Sequence, residues 1–313
     1  MTKPATTSRF LGRSIISMRN LDAKDIGIVL KHSKAMIQGK HKGLFEGKIL
    51  GSMFFEPSTR TRLSFESAME RLGGKVITAA EAGVTSSTKG ETLSDSIKVI
   101  SRYCDIIAMR HPYEGAARLA ADAAKIPILN GGDGANQHPT QTLLDLFSIQ
   151  ETQKKIDGLS IAMVGDLKYG RTIHSLAQGL SLFKVRMFFV APDILQMPKE
   201  LLAELKAKGV RYSLHEKLEP IIPKVDILYD TRIQKERFPD PLEYEKVKNI
   251  YQIVPEMLAR AKKNMRLMHP LPRVTEIHPS VDATPYAYYF QQAENGVYVR
   301  QALIALTLGL LPS

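Results

Sequence analysis

The segment Ile49-Leu50-Gly51-Ser52-Met53-Phe54-Phe55-Glu56-Pro57-Ser58-Thr59-Arg60-Thr61-Arg62 joins two kinds of local order. Its first seven residues form an apolar run of strand length. Pro57 breaks the run, Ser58 is of the type that caps a helix, and residues 59–72 carry a helical apolar period that stops at Gly73-Gly74. A buried strand feeding a helix is the repeating unit of a parallel α/β sheet. The alternation continues on both sides. Strand-like runs recur at 75–80 (KVITAA), 104–109 (CDIIAM) and 126–130 (IPILN), then at 159–165 (LSIAMVG), 185–191 (VRMFFVA), 225–230 (VDILYD) and 265–269 (MRLMH). Helical periods lie between them at 92–103, 114–124, 141–152, 171–183 and 198–208. An earlier amphipathic helix opens at Asp22, with Ile26, Val29 and Leu30 on one face.

Four strand-like runs precede residue 135 and four follow residue 158, so two sheet units are expected. Length agrees: 313 residues at ~150 per domain make about two domains. The final helix, 296–310, is apolar on more than one face and is therefore expected to be buried. The expected fold class is α/β, with two domains that are each a parallel β-sheet flanked by helices. The boundaries are placed at 1–139, 140–294 and 295–313.

Composition narrows the function. Hydrophobic residues make up 44% and charged residues 24%, as in a soluble globular chain, which excludes a disordered tail or a disulfide-stapled miniprotein. No stretch approaches the ~20 apolar residues of a membrane helix, and the N-terminus lacks an apolar block ahead of a cleavage site. The single cysteine, Cys104, lies in an apolar run and reads as core, so a cytoplasmic protein is expected. The net charge of +11 favours anionic partners, either nucleic acid or small phosphorylated and carboxylated molecules. No Cys/His zinc spacing, Walker loop, nucleophile elbow, HExxH or GxGxxG pattern is present, so no metal or cofactor is expected.

Ligands of open parallel sheets bind beyond the carboxyl ends of the strands. In the first half those ends carry Glu56–Arg62 (EPSTRTR), Arg110-His111-Pro112 and residues 131–141 (GGDGANQHPTQ). Ser58 is placed to cap the helix that follows it. Cations in a helix's first turn are disfavoured by ~0.3–1 kcal/mol each, so Arg60 and Arg62 there point to a bound anion. His138 reads either as a loop histidine or as part of that site. In the second half Arg171, Arg232 and Arg273 follow strands. They suit either a bidentate grip on a carboxylate or ion pairs with the protein's own acids.

Together, FFEPSTRTRLSFE, MRHP and GDGANQHPTQTLLD resemble the carbamoyl-phosphate half of the aspartate/ornithine carbamoyltransferase family. VGDLKYGRT, TRIQKER, HPLPR and the SSTKGET loop are similar to its aspartate branch; the ornithine branch would show HCLPR. The resemblance implies transfer of the carbamoyl group of carbamoyl phosphate to the α-amine of L-aspartate. The products would be N-carbamoyl-L-aspartate and phosphate, an early step of de novo pyrimidine biosynthesis. It also implies a C-terminal helix that packs back on the first domain.

Roles follow from the resemblance. Ser58, Thr59, Arg60 and Thr61 would hold the phosphate, and Arg110 would span phosphate and carbonyl. His138 and Thr61 would contact the carbonyl oxygen, and Gln141 the carbamoyl nitrogen. Arg171 would grip the α-carboxylate of L-aspartate, Arg232 and Gln234 its side-chain carboxylate. The backbone carbonyls of Pro270 and Leu271 would position the carbamoyl and amino groups. Lys89 would reach both substrates from a neighbouring chain, partnered by Thr85, with Ser86 and Ser87 open as alternatives. The family thus implies a homotrimer with shared sites, and in some members a separate regulatory chain. Arg60, Thr61, Lys89, Arg110 and His138 are the expected catalytic set. Two other readings stand beside this one: a carbamoyltransferase with a different amine acceptor, and a non-catalytic basic nucleic-acid-binding protein. The second lacks any recognisable nucleic-acid motif, so neither nucleic acid nor membrane is an expected partner.

Overall fold

Strand β1 (Ile49–Phe54) is buried along all but its first residue and leads through four residues into α2 (Thr59–Glu70). This is the central unit of the first of two sheets in the computed structural model, which describes residues 8–39, 41–79, 90–234, 238, 240–247 and 250–313. Helix α1 (Ala23–Ile37) precedes it, started by a capping box between Asp22 and Asp25. The sheet is completed by β2 (Lys75–Ala79), β3 (Ile106–His111) and β4 (Ile128–Asp133), with α3 (Leu93–Ile100) and α4 (Ala116–Ala123) in the connections. All pairings are parallel and the order is β2-β1-β3-β4. Met53, Ile107, Met109 and Ile128 from the strands pack with Ile97, Ala117 and Ala120 from the helices.

After α5 (Pro139–Gln153) comes the second sheet: β5 (Ser160–Gly165), β6 (Arg186–Val190), β7 (Arg211–His215), β8 (Ile227–Thr231) and β9 (Arg266–Met268). Helices α6 (Arg171–Leu180), α7 (Lys199–Ala207), α8 (Pro241–Val247) and α9 (Pro255–Leu258) lie between the strands, and α10 (Tyr289–Thr307) ends the chain. The order is β7-β6-β5-β8-β9, again all parallel.

Strand β7 was not expected from the sequence. It is an edge strand, RYSLH, in which Leu214 is 46% exposed and no residue is fully buried. An edge strand covered on one side only needs few apolar residues, so no apolar run marks it.

The chain divides into two units: Met1–Leu143 with Glu294–Ser313, and Leu144–Ala293. The C-terminal part of α10 belongs to the first unit, where Arg300 is buried over the ring of Phe65 and donates to Thr140 Oγ1. The N–H of Gly12 reaches the Thr307 carbonyl in the same unit.

Each sheet has one point where successive connections leave in opposite directions: between β1 and β3 in the first, between β5 and β8 in the second. At such a point two loops diverge and leave a crevice at the carboxyl edge, the usual ligand position of an open parallel sheet. The loops at these points are those that follow β1 and β3, and β5 and β8.

Candidate functional site

In the first unit, residues from three strand ends come together. Ser58 stands at the N-cap of α2 in extended conformation, yet its hydroxyl makes no capping bond. It accepts instead from Arg110 Nη1 at 3.3 Å. The expected side-chain cap is thus absent, and the amides of the first turn are left for another acceptor. Arg110 ends β3, and its Nε donates to Glu56 Oε2 at 2.9 Å. Thr61, one turn into α2, lies buried with its hydroxyl 3.5 Å from His138 Nε2. Thr59 and Arg60 are exposed at the helix start. Arg62 is taken differently from the sequence reading: it leans on Glu66 across one helical turn at 3.7 Å.

The loop that delivers His138 is built on Asp133. Its two carboxylate oxygens accept from the amides of Gly115 and Gln137 and from the side chains of Asn130 and Asn136. Gly131 packs closely here: a Cβ would stand 3.3 Å from the Thr61 methyl and 3.1 Å from the Met109 carbonyl. The loop ends at α5, where the His138 carbonyl accepts the amides of Gln141 and Thr142. His138 and Gln141 are both nearly buried, with 3% and 8% exposure.

In the second unit, the loops after β5 and β8 are tied by one carboxylate. Asp166 is fully buried, and its oxygens accept the amides of Tyr169 at 2.9 Å and Gln234 at 3.3 Å. Gln234 Nε2 donates to the Tyr169 carbonyl at 3.4 Å. Arg171 opens α6 and Arg232 follows β8, both half-buried on neighbouring strand ends. Gly165 makes the approach of these loops feasible. Its φ is +105°, and a Cβ would lie 2.1 Å from the Thr231 carbonyl oxygen.

The turn after β9 is held by a buried dyad. The amide of Leu271, whose φ is +57°, donates to His269 Nδ1 at 2.8 Å, so the ring proton sits on Nε2 and is given to Glu276 Oε1 at 2.8 Å. Glu276 Oε2 accepts the amides of Val274 and Thr275. Burial holds the His269 imidazole below the ordinary histidine range and therefore neutral. Burial works against the Glu276 carboxylate, but its bonds from His269 and the backbone win and keep it ionised. Arg273 is committed within the fold. It is bound to Asp282, with Nη2 to Oδ2 at 2.6 Å, and also donates to Tyr289 Oη at 2.9 Å. Of the two uses open to the strand-end arginines, Arg273 has the ion pair.

Lys89, Thr85, Ser86 and Ser87 lie outside the described residues. Cys104 is half-buried, its thiol pushed up to about 11 by burial, as suits core packing. Among the described residues no group of three or more His, Cys, Asp or Glu is arranged to hold a metal ion, and no helix is long and apolar enough to cross a membrane.

The sequence reading passed over the acids that organise these loops: Glu56, which holds Arg110, and Asp133, Asp166 and Glu276, which accept backbone amides. For Glu56, Asp133 and Asp166 the available signal was position, since each stands at or just beyond a strand end in a run already marked by arginine or glycine; Glu276, eight residues past β9, had none.

Comparison with known proteins bears on both units. Residues 13–151 match the model of the aspartate/ornithine carbamoyltransferase carbamoyl-P binding domain, and residues 157–307 that of the Asp/Orn binding domain. An aspartate carbamoyltransferase catalytic subunit from Chromobacterium violaceum is 55% identical over 296 residues, covering 95% of this chain and 98% of that one. The crystallised catalytic subunit of M. jannaschii aspartate transcarbamoylase is 52% identical, with a TM-score of 0.88 over 95% of this chain and 97% of that chain. Aspartate transcarbamoylase from Trypanosoma cruzi, solved in complex with carbamoyl phosphate and aspartate, is 40% identical. Its TM-score is 0.90, over 96% of this chain and 98% of that chain.

Proposed function

The chain belongs to the aspartate/ornithine carbamoyltransferase family, and we propose that it carries the activity of the aspartate branch. It transfers the carbamoyl group of carbamoyl phosphate to the α-amine of L-aspartate, giving N-carbamoyl-L-aspartate and phosphate. The observation that carries this reading is the cluster of Ser58, Thr61, Arg110 and His138 at the switch point of the first sheet. It gathers one cation, two hydroxyls and an imidazole beside the uncapped start of α2.

In this reading the first unit binds carbamoyl phosphate. Phosphate oxygens take the free amides of α2 together with Ser58, Thr59, Arg60 and Thr61, a combination of helix terminus and guanidinium suited to a dianion. Arg110 spans the phosphate and the carbonyl. Thr61 and His138 donate to the carbonyl oxygen, where negative charge grows as the amine attacks, and Gln141 accepts from the carbamoyl nitrogen. The second unit binds aspartate, with Arg171 on its α-carboxylate and Arg232 and Gln234 on its side-chain carboxylate. The carbonyls of Pro270 and Leu271 position the carbamoyl and amino groups. Lys89, supplied by a neighbouring chain with Thr85 beside it, completes the cationic set in a homotrimer.

The amine nitrogen bonds to the carbamoyl carbon and the bond from that carbon to the phosphate-bridging oxygen breaks. The proton lost by the amine goes to the departing phosphate. No side chain then forms a covalent intermediate, and the protein's contribution is fixed donors and orientation. A cytoplasmic setting and, as in some members, a separate regulatory chain complete the proposal.

The test uses purified chain with carbamoyl phosphate and either L-aspartate or L-ornithine in parallel tubes, with carbamoylated product and phosphate quantified in each. Product with aspartate alone is expected. Product with another amine only would discard the second-unit assignment, and product with neither would discard the reading.

A further inference from the structure

Asp230 is the last residue but one of β8, two positions before Arg232. It is fully buried, and neither of its carboxyl oxygens has a hydrogen-bond partner. Its neighbour Tyr229 points to the opposite face and is fully satisfied, giving its hydroxyl to Asp145 at 2.9 Å. Asp230 shares a face with Leu228, above a core of Ala162, Val164, Leu228, Ile253 and Leu267. It lines a small cavity of about 50 Å³ together with Arg232, Tyr244, Tyr251 and Glu276.

A lone carboxylate in such a place is costly, and the surroundings do not relieve it. β5 opposes it with Val164 and Gly165, which carry no charge. From the β9 side it meets Glu276, an anion already committed to His269 and two backbone amides. α8 contributes Tyr244, and Tyr251 spends its hydroxyl on the Glu216 carbonyl. Arg232 lines the same cavity from the strand end but gives no hydrogen bond to Asp230. Two carboxyls facing one cavity, with none of the described cations bonded to Asp230, resolve by one of them keeping its proton. Glu276 has three donors and Asp230 has none, so the proton stays on Asp230.

We propose that Asp230 is a positioning residue of the acceptor half. As a neutral acid it leaves Glu276 free to hold His269, and through it the Leu271 turn; when Asp230 ionises, its repulsion with Glu276 loosens that turn and weakens acceptor binding. The proposal rests on the reading of the second unit as the aspartate-binding half.

Two measurements test it. The KM for L-aspartate at saturating carbamoyl phosphate is followed across neutral and alkaline pH for the parent chain and for Asp230→Asn, which is uncharged throughout. The substrate amine titrates identically in both, so the ratio of the two KM values isolates Asp230. That ratio is expected to grow by up to about tenfold per pH unit beyond the Asp230 titration. A ratio that stays constant overturns the proposal while the measured activity upholds the acceptor reading. No carbamoyl-aspartate from the parent overturns both.

The second measurement needs no variant and no substrate. The infrared spectrum of the parent at neutral pH should contain the carbonyl band of a protonated carboxyl, displaced when the chain is labelled with [4-¹³C]aspartate. Absence of a label-sensitive band overturns the proposal.

Discussion

Arg110 donates from Nε to Glu56 at 2.9 Å and from Nη1 to Ser58 at 3.3 Å, so one side chain at the end of β3 is clamped by two residues that follow β1. The clamp fixes the guanidinium plane before any ligand arrives. Glu56 holds the Nε edge, and the rest of the fork is left for an anion beside the start of α2. The acid therefore serves as an orienting group for the cation.

Glu56→Ala should reduce kcat/KM for carbamoyl phosphate about tenfold, from loss of a charge-assisted bond worth ~1.5–3 kcal/mol in a partly exposed pair. Glu56→Gln keeps an acceptor and should lose less. Steady-state kinetics on the two variants checks this; equal losses would mean that the charge and not the orientation of Arg110 is what matters.

Thr61 and His138 face each other at 3.5 Å in a buried setting, as two donors for one developing oxyanion would. His138→Ala should lower kcat by ~10²–10³ with a smaller change in the carbamoyl-phosphate KM. A change confined to KM would assign His138 to ground-state binding.

Gly165 combines a φ of +105° with a Thr231 carbonyl where its side chain would be. Gly165→Ala should destabilise the chain by more than the roughly 1–3 kcal/mol of the backbone conformation alone. Survivors should show a raised KM for aspartate, because the displaced residues lead directly to Arg232 and Gln234. Gln234→Ala should raise the same KM without the loss in thermal stability.

His269 is held neutral by burial, below the ordinary histidine value of 6.5. As pH falls past that value the unfolded chain takes up a proton that the folded chain does not, so stability falls by up to ~1.4 kcal/mol per pH unit. The folded state resists until its own lower value is reached. His269→Gln should remove this part of the acid dependence, read as the difference between the two variants' denaturation midpoints across mildly acidic pH.

Asp230 has the opposite sign. Burial first, and then the charge of Glu276, push its carboxyl well above the usual range. Above a pH of 3.8 the unfolded chain ionises while the folded chain does not, so its contribution to stability declines as pH rises. Asp230→Val should therefore raise the melting temperature at neutral pH, by an amount that shrinks as pH falls. On the order of 1–3 kcal/mol is expected for removing an unsatisfied buried polar group. A lower melting temperature at neutral pH would show that Asp230 has a partner when the chain is in solution.

Much of the molecule was legible in its chain. Apolar runs of strand length with helical periods between them announced two parallel sheets, because a strand buried on both faces must be apolar throughout. The strings after β1, β3, β4, β5, β8 and β9 carried their chemistry in residue type and order, since strand ends in such sheets face a common edge. β7 escaped because an edge strand is only partly covered.

Tertiary structure alone decided how each charge is used. Arg62, Arg110 and Arg273 read alike in sequence, as cations beyond a strand. Folding gave Arg62 to Glu66, Arg273 to Asp282, and Arg110 to a clamp that leaves part of its fork open. Asp230 and Glu276 likewise read as two ordinary acids; burial against each other, with donors for one and none for the other, makes them different. Patterns of apolarity report local periodicity and so survive in one dimension. The state of a charge depends on what comes within a few ångströms of it from distant parts of the chain, and only the folded molecule supplies that.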